Sequence, residues 1–498
     1  MMSVNRLQAG CLRQKVVSAV ALCGLGLSAS DGLAAAPADG NALRQSARDR
    51  NAEIVMKITA PFTVAAVGDI LMPQPLNREE PGFQKLTDLI RKADVGFGNM
   101  ESSLVDFRHF DGPIDGSQAP LEMGEALKTM GITMMSRANN HTFDGGVAGM
   151  ISTDDMLDRL GITHAGTGRN LQAARAPRYR ETPKGRVGLV SMFSLDDVGS
   201  YGRMYAKAEA TYREGDHGGA PGMNPLHLTT HRVIRPEQLQ VLKDIAGSVY
   251  GERVNVLRPA GEGKPERFRF FGEWYEAGSE VGALHYEMNP NDARDILHSI
   301  RNGKVVSDFM IATIHVHQVS DYRNIVAGER IGMREGWDHG TPDFMIRLAH
   351  DSIDNGADMF VAHGVHSLRG VEIYKDKPVF YGLSNFVFQS GIEVEPHDVL
   401  ASAARRPSGD FPATRDALLA TSHFDNGRLT EVRLYPADLG GTSRPLSRNG
   451  IPATPSPEDA QRILKAVQEY SKPFGTRITI ENNIGVIRLG ADGQSTGR

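Results

Sequence analysis

One short polar stretch combines residue types that could bind a metal ion, Ala138 to Gly146, with the sequence ANNHTFDGG. Asparagine carbonyls and an imidazole can ligate hard or borderline divalent ions, and the glycines allow a tight turn around such a site. Asp144 follows His141 by three residues, so its carboxylate could orient the imidazole ring. Alternatively, the stretch is an ordinary polar loop that caps a helix beginning near Val147. Taken alone, it leaves both interpretations open.

Three apolar segments in the first third of the chain run into polar residues of this kind. FTVAAVGDI predicts a buried strand over residues 62–67, ADVGFGNMESSL predicts a second strand, and ITMMS predicts a third strand ending at Ser136. In open α/β sheets, chemistry gathers at the carboxyl ends of the strands. The repeated placement therefore favours a functional site over separate turn-forming roles. The residues at the three predicted strand ends are Asp69, then Asn99 with Glu101, then Asn140 with His141.

Two later strands end in histidines. SDFMIATIHVHQ predicts a strand ending in His315 and His317, and the strand in ADMFVAHGVH ends at His363 and His366. For any single histidine, a structural role is the common explanation. Four histidines on two successive strand ends instead favour a carboxylate and imidazole metal site, because imidazole is the commonest neutral metal ligand.

The remaining pattern predicts helices between the strands, which is typical of an α/β fold. Helical spacing covers residues 82–92, 121–130, 150–160, 236–246, 292–302, 342–355 and 457–470. Hairpins are predicted at Lys375–Lys377 and at Asn426–Gly427. The Gly- and Pro-rich segment from about 196 to 289, with a strand near 267–275, is predicted to be an insertion that covers or shapes the site.

The N-terminus has the features of a secretory signal peptide. Arg6, Arg13 and Lys15 precede an apolar segment from Val16 to Leu27, which is too short to span a membrane. Small residues follow, with an A-x-A pattern ending at Ala36. We expect a signal over residues 1–36, a polar leader over 37–60, and export across the inner membrane to the periplasm or cell envelope.

Composition limits the classes of function. With 498 residues, of which 40% are hydrophobic and 23% charged, the chain is globular and forms one large or two modest domains. A formal charge of −5 and the lack of any Lys/Arg run longer than two residues argue against nucleic acid as a partner. Both cysteines, Cys11 and Cys23, lie in the expected signal, so a mature chain would have no thiol nucleophile and no thiolate metal site.

The ordered set VGDI, GNMESSL, ANNHTFDGG, IHVHQ and AHGVHSLRGVEIYKDKPVFYGLSNFVF resembles the CapA family of poly-γ-glutamate capsule biosynthesis proteins. The similarity runs from about Phe62 to Leu489. The resemblance implies a metallophosphatase-like domain over residues 61–490. It also implies a fold of the α/β class, a four-layer α-β-β-α sandwich around a two-metal site.

The resemblance further implies roles for single residues. Leu71 stands where the related DxH motif has its histidine, AHGVH replaces GHHPH, and HVH replaces HWG, although His317 offers a replacement ligand. The carboxylate-poor ligand set favours Mn²⁺ or Zn²⁺ over Ca²⁺, in one or two sites. The implied metal ligands are Asp69, Asn99, Glu101, Asn140, His315, His363 and His366, and the implied catalytic pair is His141 with Asp144.

Two functions of different classes stay open at this point. The first is an extracytoplasmic metal-dependent hydrolase of capsule or envelope polymer metabolism, in which metal-activated water attacks a phosphoryl group and His141 protonates the leaving oxygen. The second is a non-catalytic protein that binds or assembles an envelope polymer. The expected partners are an anionic envelope polymer or phosphoester substrate, and membrane-embedded capsule synthesis proteins.

We predict that the exported protein is cleaved after Ala36, because the charged start, apolar core and A-x-A pattern occur in that order. Intact-mass measurement of protein from the periplasm checks this. Ala34→Arg should block cleavage and leave a larger species. A wild-type mass that still includes residues 1–36 would contradict the prediction.

Overall fold

Two large β-sheets lie face to face, with helices on both outer surfaces. The structure, a computed structural model, describes residues 53–73, 76, 81–113, 117–196, 219–251, 265–321, 339–389, 415–440, 444–445, 448–490 and 495–496. The expected signal over 1–36 and the leader residues 37–52 lie outside the described residues.

The strands are numbered in chain order. They are β1 (Phe62–Leu71), β2 (Val95–Met100), β3 (Ser103–Val105), β4 (Gln118–Pro120), β5 (Met134–Ser136), β6 (Thr163–Ala165), β7 (Thr167–Gly168), β8 (Arg178–Thr182), β9 (Gly185–Asp196), β10 (Gly222–Met223), β11 (Pro225–Ile234), β12 (Arg267–Phe270), β13 (Glu273–Ala277), β14 (Leu284–Met288), β15 (Phe309–His315), β16 (Met359–His363), β17 (Val371–Tyr374), β18 (Lys377–Phe380), β19 (Asn385–Phe388), β20 (Asp416–Asp425), β21 (Arg428–Asp438), β22 (Thr479–Glu481), β23 (Ile484–Leu489) and β24 (Ser495–Thr496).

Seven of the described helices match the predicted segments, with ends that differ by a few residues, whereas the short helix Leu171–Arg175 was not predicted. The helices are α1 (Pro81–Lys92), α2 (Gly124–Met130), α3 (Gly146–Leu160), α4 (Leu171–Arg175), α5 (Pro236–Tyr250), α6 (Pro290–Val305), α7 (Asp343–Asp354) and α8 (Pro457–Ser471), with 3₁₀ turns at Leu121–Met123 and Lys472–Phe474. In the part of the chain that the structure describes, no helix has the length and apolar character needed to cross a membrane.

The first sheet brings three predicted strand ends to one edge. Its order is β22-β23-β21-β20-β1-β2-β5-β6, with β19 beside β1 and β24 beside β23. Neighbouring strands among β1, β2, β5 and β6 are parallel, so their carboxyl ends point the same way. Asp69 on β1 pairs in register with Asn99 on β2.

The second sheet brings the two histidine-bearing strand ends to one edge. Its order is β12-β13-β11-β9-β15-β16-β18-β17, with β14 beside β11 and β8 beside β9. The strands β9, β15 and β16 are parallel to one another, and His315 at the end of β15 pairs with His363 at the end of β16. Both histidine-bearing strands therefore end at one edge of this sheet.

The described parts of the predicted insertion, residues 219–251 and 265–289, add β11 to β14 to the second sheet. The single strand expected near 267–275 is wrong, because the chain turns at Phe271 and Gly272, with φ of 48° and 89°, into the β12–β13 hairpin. Residues 197–218 and 252–264 lie outside the described residues, so a role in covering the site stays a prediction.

Side-chain alternation along β1 divides the core into layers. Phe62, Val64 and Ala66 belong to the central cluster shared by both sheets, and the ring of Phe62 lies 5.3 Å from that of Phe309 on β15. The intervening alanine and valine side chains join the outer cluster, which includes residues of α1, α2 and α3. Residues of α6 and α7 pack on the outer face of the second sheet. The structure confirms the predicted α/β fold, with sheets inside and helices outside.

Both predicted hairpin turns are confirmed. The central residues Lys375 and Asp376 have φ of 47° and 59°, and Asn426 and Gly427 have φ of 50° and 74°. Left-handed backbone at both central residues matches the right-handed twist of the strands that such turns connect.

A buried ion pair joins helix α6 to the start of β16. Lys304 and Asp358 are both fully buried, with Nζ 2.7 Å from Oδ2, and Lys377 lies 2.6 Å from Oδ1. Burial alone would raise the pKa of Asp358, but the charges of Lys377 and Lys304 more than offset it, so the pKa lies below its usual value. Because the folded-state pKa is lowered, the stabilisation exists above the unfolded-state pKa and is lost as the pH falls through the folded one.

We predict that Lys304→Met lowers the free energy of unfolding at pH 7 by about 3 kcal/mol, since it leaves a buried carboxylate with one cation fewer. The difference from wild type should shrink in acid, as Asp358 becomes protonated in both proteins. Urea denaturation at a series of pH values measures both effects. Lys472→Met removes an exposed pair with Glu469 and should change stability by less than about 0.5 kcal/mol. Equal stability of Lys304→Met and wild type at pH 7 would contradict the prediction.

Candidate metal centre

Asp69 is an ionised carboxylate at the end of β1. It is fully buried, and Oδ1 accepts a hydrogen bond from Nδ2 of Asn99 at 2.8 Å, while Oδ2 accepts the backbone N–H of Gly364 at 3.0 Å. Burial alone would raise the pKa of Asp69, but hydrogen bonding from His366 and the charge of His315 outweigh it, so the pKa lies below its usual value. The side chain therefore offers negative charge to the site.

Glu101 follows β2 directly and is also fully buried. Among the described residues, neither of its carboxylate oxygens has a hydrogen-bond partner. Burial raises the pKa of Glu101 well above its usual value, and the charges of Asp69 and Asp144 add to the rise. A buried carboxyl group without donors is costly, and a bound cation would remove that cost.

Glu101 is common to two groups of side chains that could hold a metal ion. One group consists of Asp69, Glu101 and His366, and the other of Glu101, His315 and His317. Within each group, one ligand atom from each residue lies within 4.8 Å of the others. A carboxylate shared by two neighbouring groups is the arrangement of a two-ion site. The donor sets, carboxylates with imidazoles, fit divalent ions such as Mn²⁺ or Zn²⁺.

Both histidines of the second group are uncharged near neutral pH. Burial, with the neighbouring charge of His317, lowers the pKa of His315 well below its usual value. Burial, with the charge of His366, lowers the pKa of His317 to about 3. Both rings are thus neutral near pH 7, which is the charge state in which an imidazole can bind a metal ion.

The two adjacent asparagines have different roles. Asn139 donates from Nδ2 to Oδ1 of Asn99 at 3.1 Å and to the carbonyl of Met100 at 2.6 Å, and its Oδ1 accepts the N–H of His141. Asn140 is 4% exposed, and its Oδ1 has no hydrogen-bond partner within the described part of the chain. Asn139 therefore fixes the loop, whereas Asn140 has an oxygen available for a ligand.

The alternative that this loop caps the next helix is wrong. Helix α3 begins at Gly146, and its N-cap is Gly145 with φ of 80°, which has no side chain that could cap the helix. Instead Asp144 contacts His141, with Oδ2 2.7 Å from Nδ1, as the three-residue spacing predicts. Asp144 also accepts the backbone N–H of Ser117, which fixes the carboxylate. The catalytic role of this pair stays a prediction.

Besides Asn140, two further predicted ligands, His363 and Asn99, lie outside the two groups. The ring of His363 has Nε2 3.2 Å from the carbonyl oxygen of Val67 and Nδ1 3.2 Å from the hydroxyl of Thr313. Asn99 donates to Asp69 and also lies 3.1 Å from Nδ1 of His315. Both residues support the edge of the site, and their ligand roles stay predictions.

Sequence reasoning assigned no role to Asn385, although LSNFVF was part of the family pattern. Its Oδ1 lies 2.7 Å from Nδ1 of His366. Asn385 begins β19, which pairs in parallel with β1 so that Asn385 is in register with Asp69. The sequence feature that could have pointed to Asn385 is its position as a polar residue at the start of a short apolar strand. His317, expected only as a replacement ligand, lies in one of the two groups.

Residues 63–390 match the family model described as bacterial capsule synthesis protein PGA_cap. The chain belongs to this family. The match includes both groups of side chains that could hold a metal ion and the His141–Asp144 pair.

Individual relatives extend the similarity beyond the family match. The uncharacterized protein y4sH of Sinorhizobium fredii is 36% identical over 462 residues, which cover 86% of this chain and 93% of the relative. The PGA biosynthesis protein CapA of Bacillus subtilis is 22% identical over 78% of this chain and 75% of its own length. The capsule biosynthesis protein CapA of Bacillus anthracis is 46% identical over 66% of this chain and 60% of its own length.

We predict that Glu101→Gln removes metal from both groups of this capsule synthesis family member, because Glu101 is common to them. Asp69→Ala, His315→Ala and His366→Ala should each lower metal content, with affinity losses beyond the roughly 10–100-fold typical of residues that only support ligands. Elemental analysis after loading with Mn²⁺ or Zn²⁺ and desalting measures stoichiometry. His164→Gln, a change outside both groups, is the control. Wild-type metal content in Glu101→Gln would contradict the site.

Proposed function

We propose that this capsule synthesis family protein is an extracytoplasmic, metal-dependent hydrolase of phosphoester bonds in capsule or related envelope polymer biosynthesis. Its family membership supports the polymer pathway, and two relatives carry the names PGA or capsule biosynthesis protein CapA. The charged N-terminus and A-x-A pattern support export. The main support for metal-dependent hydrolysis is the buried Glu101 carboxylate, which is shared by two groups of possible metal ligands.

In the proposed reaction, His141 gives a proton to the leaving group and Asp144 orients the His141 ring. Asp144 can only accept at Nδ1 of His141, so a ring protonated at both nitrogens would give its Nε2 proton to a leaving oxygen, while Asp144 holds the ring through Nδ1–H. The His141 side chain is 22% exposed, so a substrate can reach it. Divalent ions held by the two groups would supply Lewis-acid activation of the phosphoryl group and of the attacking water.

The proposed substrate is an anionic envelope polymer or another phosphoester. The proposed protein partners are membrane-embedded components of capsule synthesis. The relatives' names support the polymer, and the absence of a basic run in the sequence argues against nucleic acid.

A non-catalytic polymer-binding or assembly role is the second candidate. It is favoured by Leu71, an apolar residue where related phosphoesterases have a histidine, and by His363, whose ring nitrogens both face protein groups. Fewer ligands mean weaker metal binding, and a metal-poor sheet edge could still hold an anionic chain through Asn140 and His141.

We predict that His141→Asn lowers hydrolysis by roughly 10²–10⁴-fold, the range for a lost general acid, while metal content stays close to wild type. Asp144→Asn should act in the same direction with a smaller loss. A phosphoester panel with metal-loaded protein measures the rates. His227→Asn disrupts a comparable His–Asp pair, with Asp292 at 2.6 Å, away from the site and should leave the rates unchanged.

One combination of results would refute the hydrolase proposal. If metal-loaded wild-type protein hydrolyses none of the phosphoesters, yet binds an anionic polymer as well as His141→Asn does, the hydrolase proposal fails and the binding role replaces it.

A further inference from the structure

Asn385 lies outside both ligand groups and faces the ring of His366. We propose that Asn385 is a positioning residue: it holds the His366 imidazole as the Nδ1–H tautomer and turns Nε2 toward Glu101. This inference rests on the proposed metal-dependent function, because His366 belongs to one of the two ligand groups.

The hydrogen-bond geometry at His366 defines the tautomer. Nδ1 lies 2.7 Å from Oδ1 of Asn385 and 3.4 Å from Oδ2 of Asp69. An amide carbonyl oxygen and an ionised carboxylate can only accept hydrogen bonds, so Nδ1 must carry the hydrogen. In a neutral ring, Nε2 then has the lone pair, and it lies 3.8 Å from Oε1 of Glu101. Histidine ligands are usually oriented in this way, by a carbonyl or carboxylate at the other ring nitrogen.

The backbone of His366 is held by the residue next to Asn385. His366 has φ of 54° and Ser384 has φ of 62°, in the left-handed region that residues other than glycine rarely adopt. The hydroxyl of Ser384 donates to the carbonyl of His366 at 3.1 Å. Two consecutive residues thus hold the backbone and the ring of His366, and backbone strain of this kind is found where surrounding contacts fix a functional residue.

The same two residues are tied to the strand that presents Asp69. The backbone N–H of Asp69 donates to the carbonyl of Ser384 at 3.0 Å, and Asp69 pairs in register with Asn385. Gly68 allows this approach, since a Cβ there would lie 1.9 Å from the Ser384 carbonyl oxygen. The start of β19 therefore sets the distance between two ligands of one group, Asp69 and His366. A role of Asn385 in packing alone would not explain the contact between its Oδ1 and the His366 ring.

The experiment records ¹⁵N-histidine NMR spectra of metal-free protein, and the His366 signals are assigned by their absence in His366→Gln. Wild type should show His366 as the Nδ1–H tautomer. Asn385→Leu, which removes the acceptor, should shift the ring toward a tautomer mixture and weaken Mn²⁺ binding roughly 10–100-fold. Asn385→Asp keeps an acceptor and should retain the tautomer and most of the affinity. Asn224→Leu removes a buried amide that accepts from Arg175 and, within the described residues, does not contact His366, and it should leave the His366 tautomer unchanged.

The inference is overturned if wild-type His366 is the Nε2–H tautomer, or if Asn385→Leu keeps both the wild-type tautomer and the wild-type Mn²⁺ affinity. Should Asn385→Leu not fold, the wild-type and Asn385→Asp spectra still decide the tautomer. If wild-type protein binds no Mn²⁺ or Zn²⁺, the proposed function fails, while the tautomer in metal-free protein still supports or refutes positioning by Asn385.

Discussion

The burial of the Glu101 carboxyl group is the constraint on which the rest of the site depends. A carboxylate in a closed interior needs hydrogen bonds or a cation. Within the described residues the Glu101 oxygens accept no hydrogen bond, although Nε2 of His315 lies 3.4 Å from Oε1. Asp69, by contrast, accepts the backbone N–H of Gly364 and an amide hydrogen of Asn99. The pKa values of the two buried acids are consequently driven apart, that of Asp69 downward and that of Glu101 upward. A divalent ion beside Glu101 would supply the missing partner for its oxygens.

The fold places this group at the meeting point of two sheet edges. Parallel strands β1 and β2 bring Asp69 beside Asn99, while β15 and β16 bring His315 beside His363. A central core of apolar side chains joins the two sheets, so the edges are fixed relative to each other. The ligands come from segments far apart in sequence, and their spacing depends on strand register more than on any loop.

The sequence predicted the parts of this arrangement that depend on local pattern. Alternating and continuous apolar runs gave the strands, and the three-residue spacing of His141 and Asp144 anticipated their contact. The contact of His366 with Asn385 could not be read in this way, because it depends on the register of β19 against β1. His363 was grouped with the ligands by its position at a strand end, but its Nε2 reaches the Val67 carbonyl on the opposite sheet. The β12–β13 hairpin was missed because Phe271 continues the apolar pattern through the turn.

If the two groups that share Glu101 hold divalent ions, anomalous diffraction would detect them. Crystals of the mature protein grown with Mn²⁺ or Zn²⁺ and measured on both sides of the metal absorption edge would locate each ion. We expect two anomalous peaks, one beside Asp69 and His366 and the other beside His315 and His317. Metal-loaded crystals with no peak next to Glu101 would contradict this expectation.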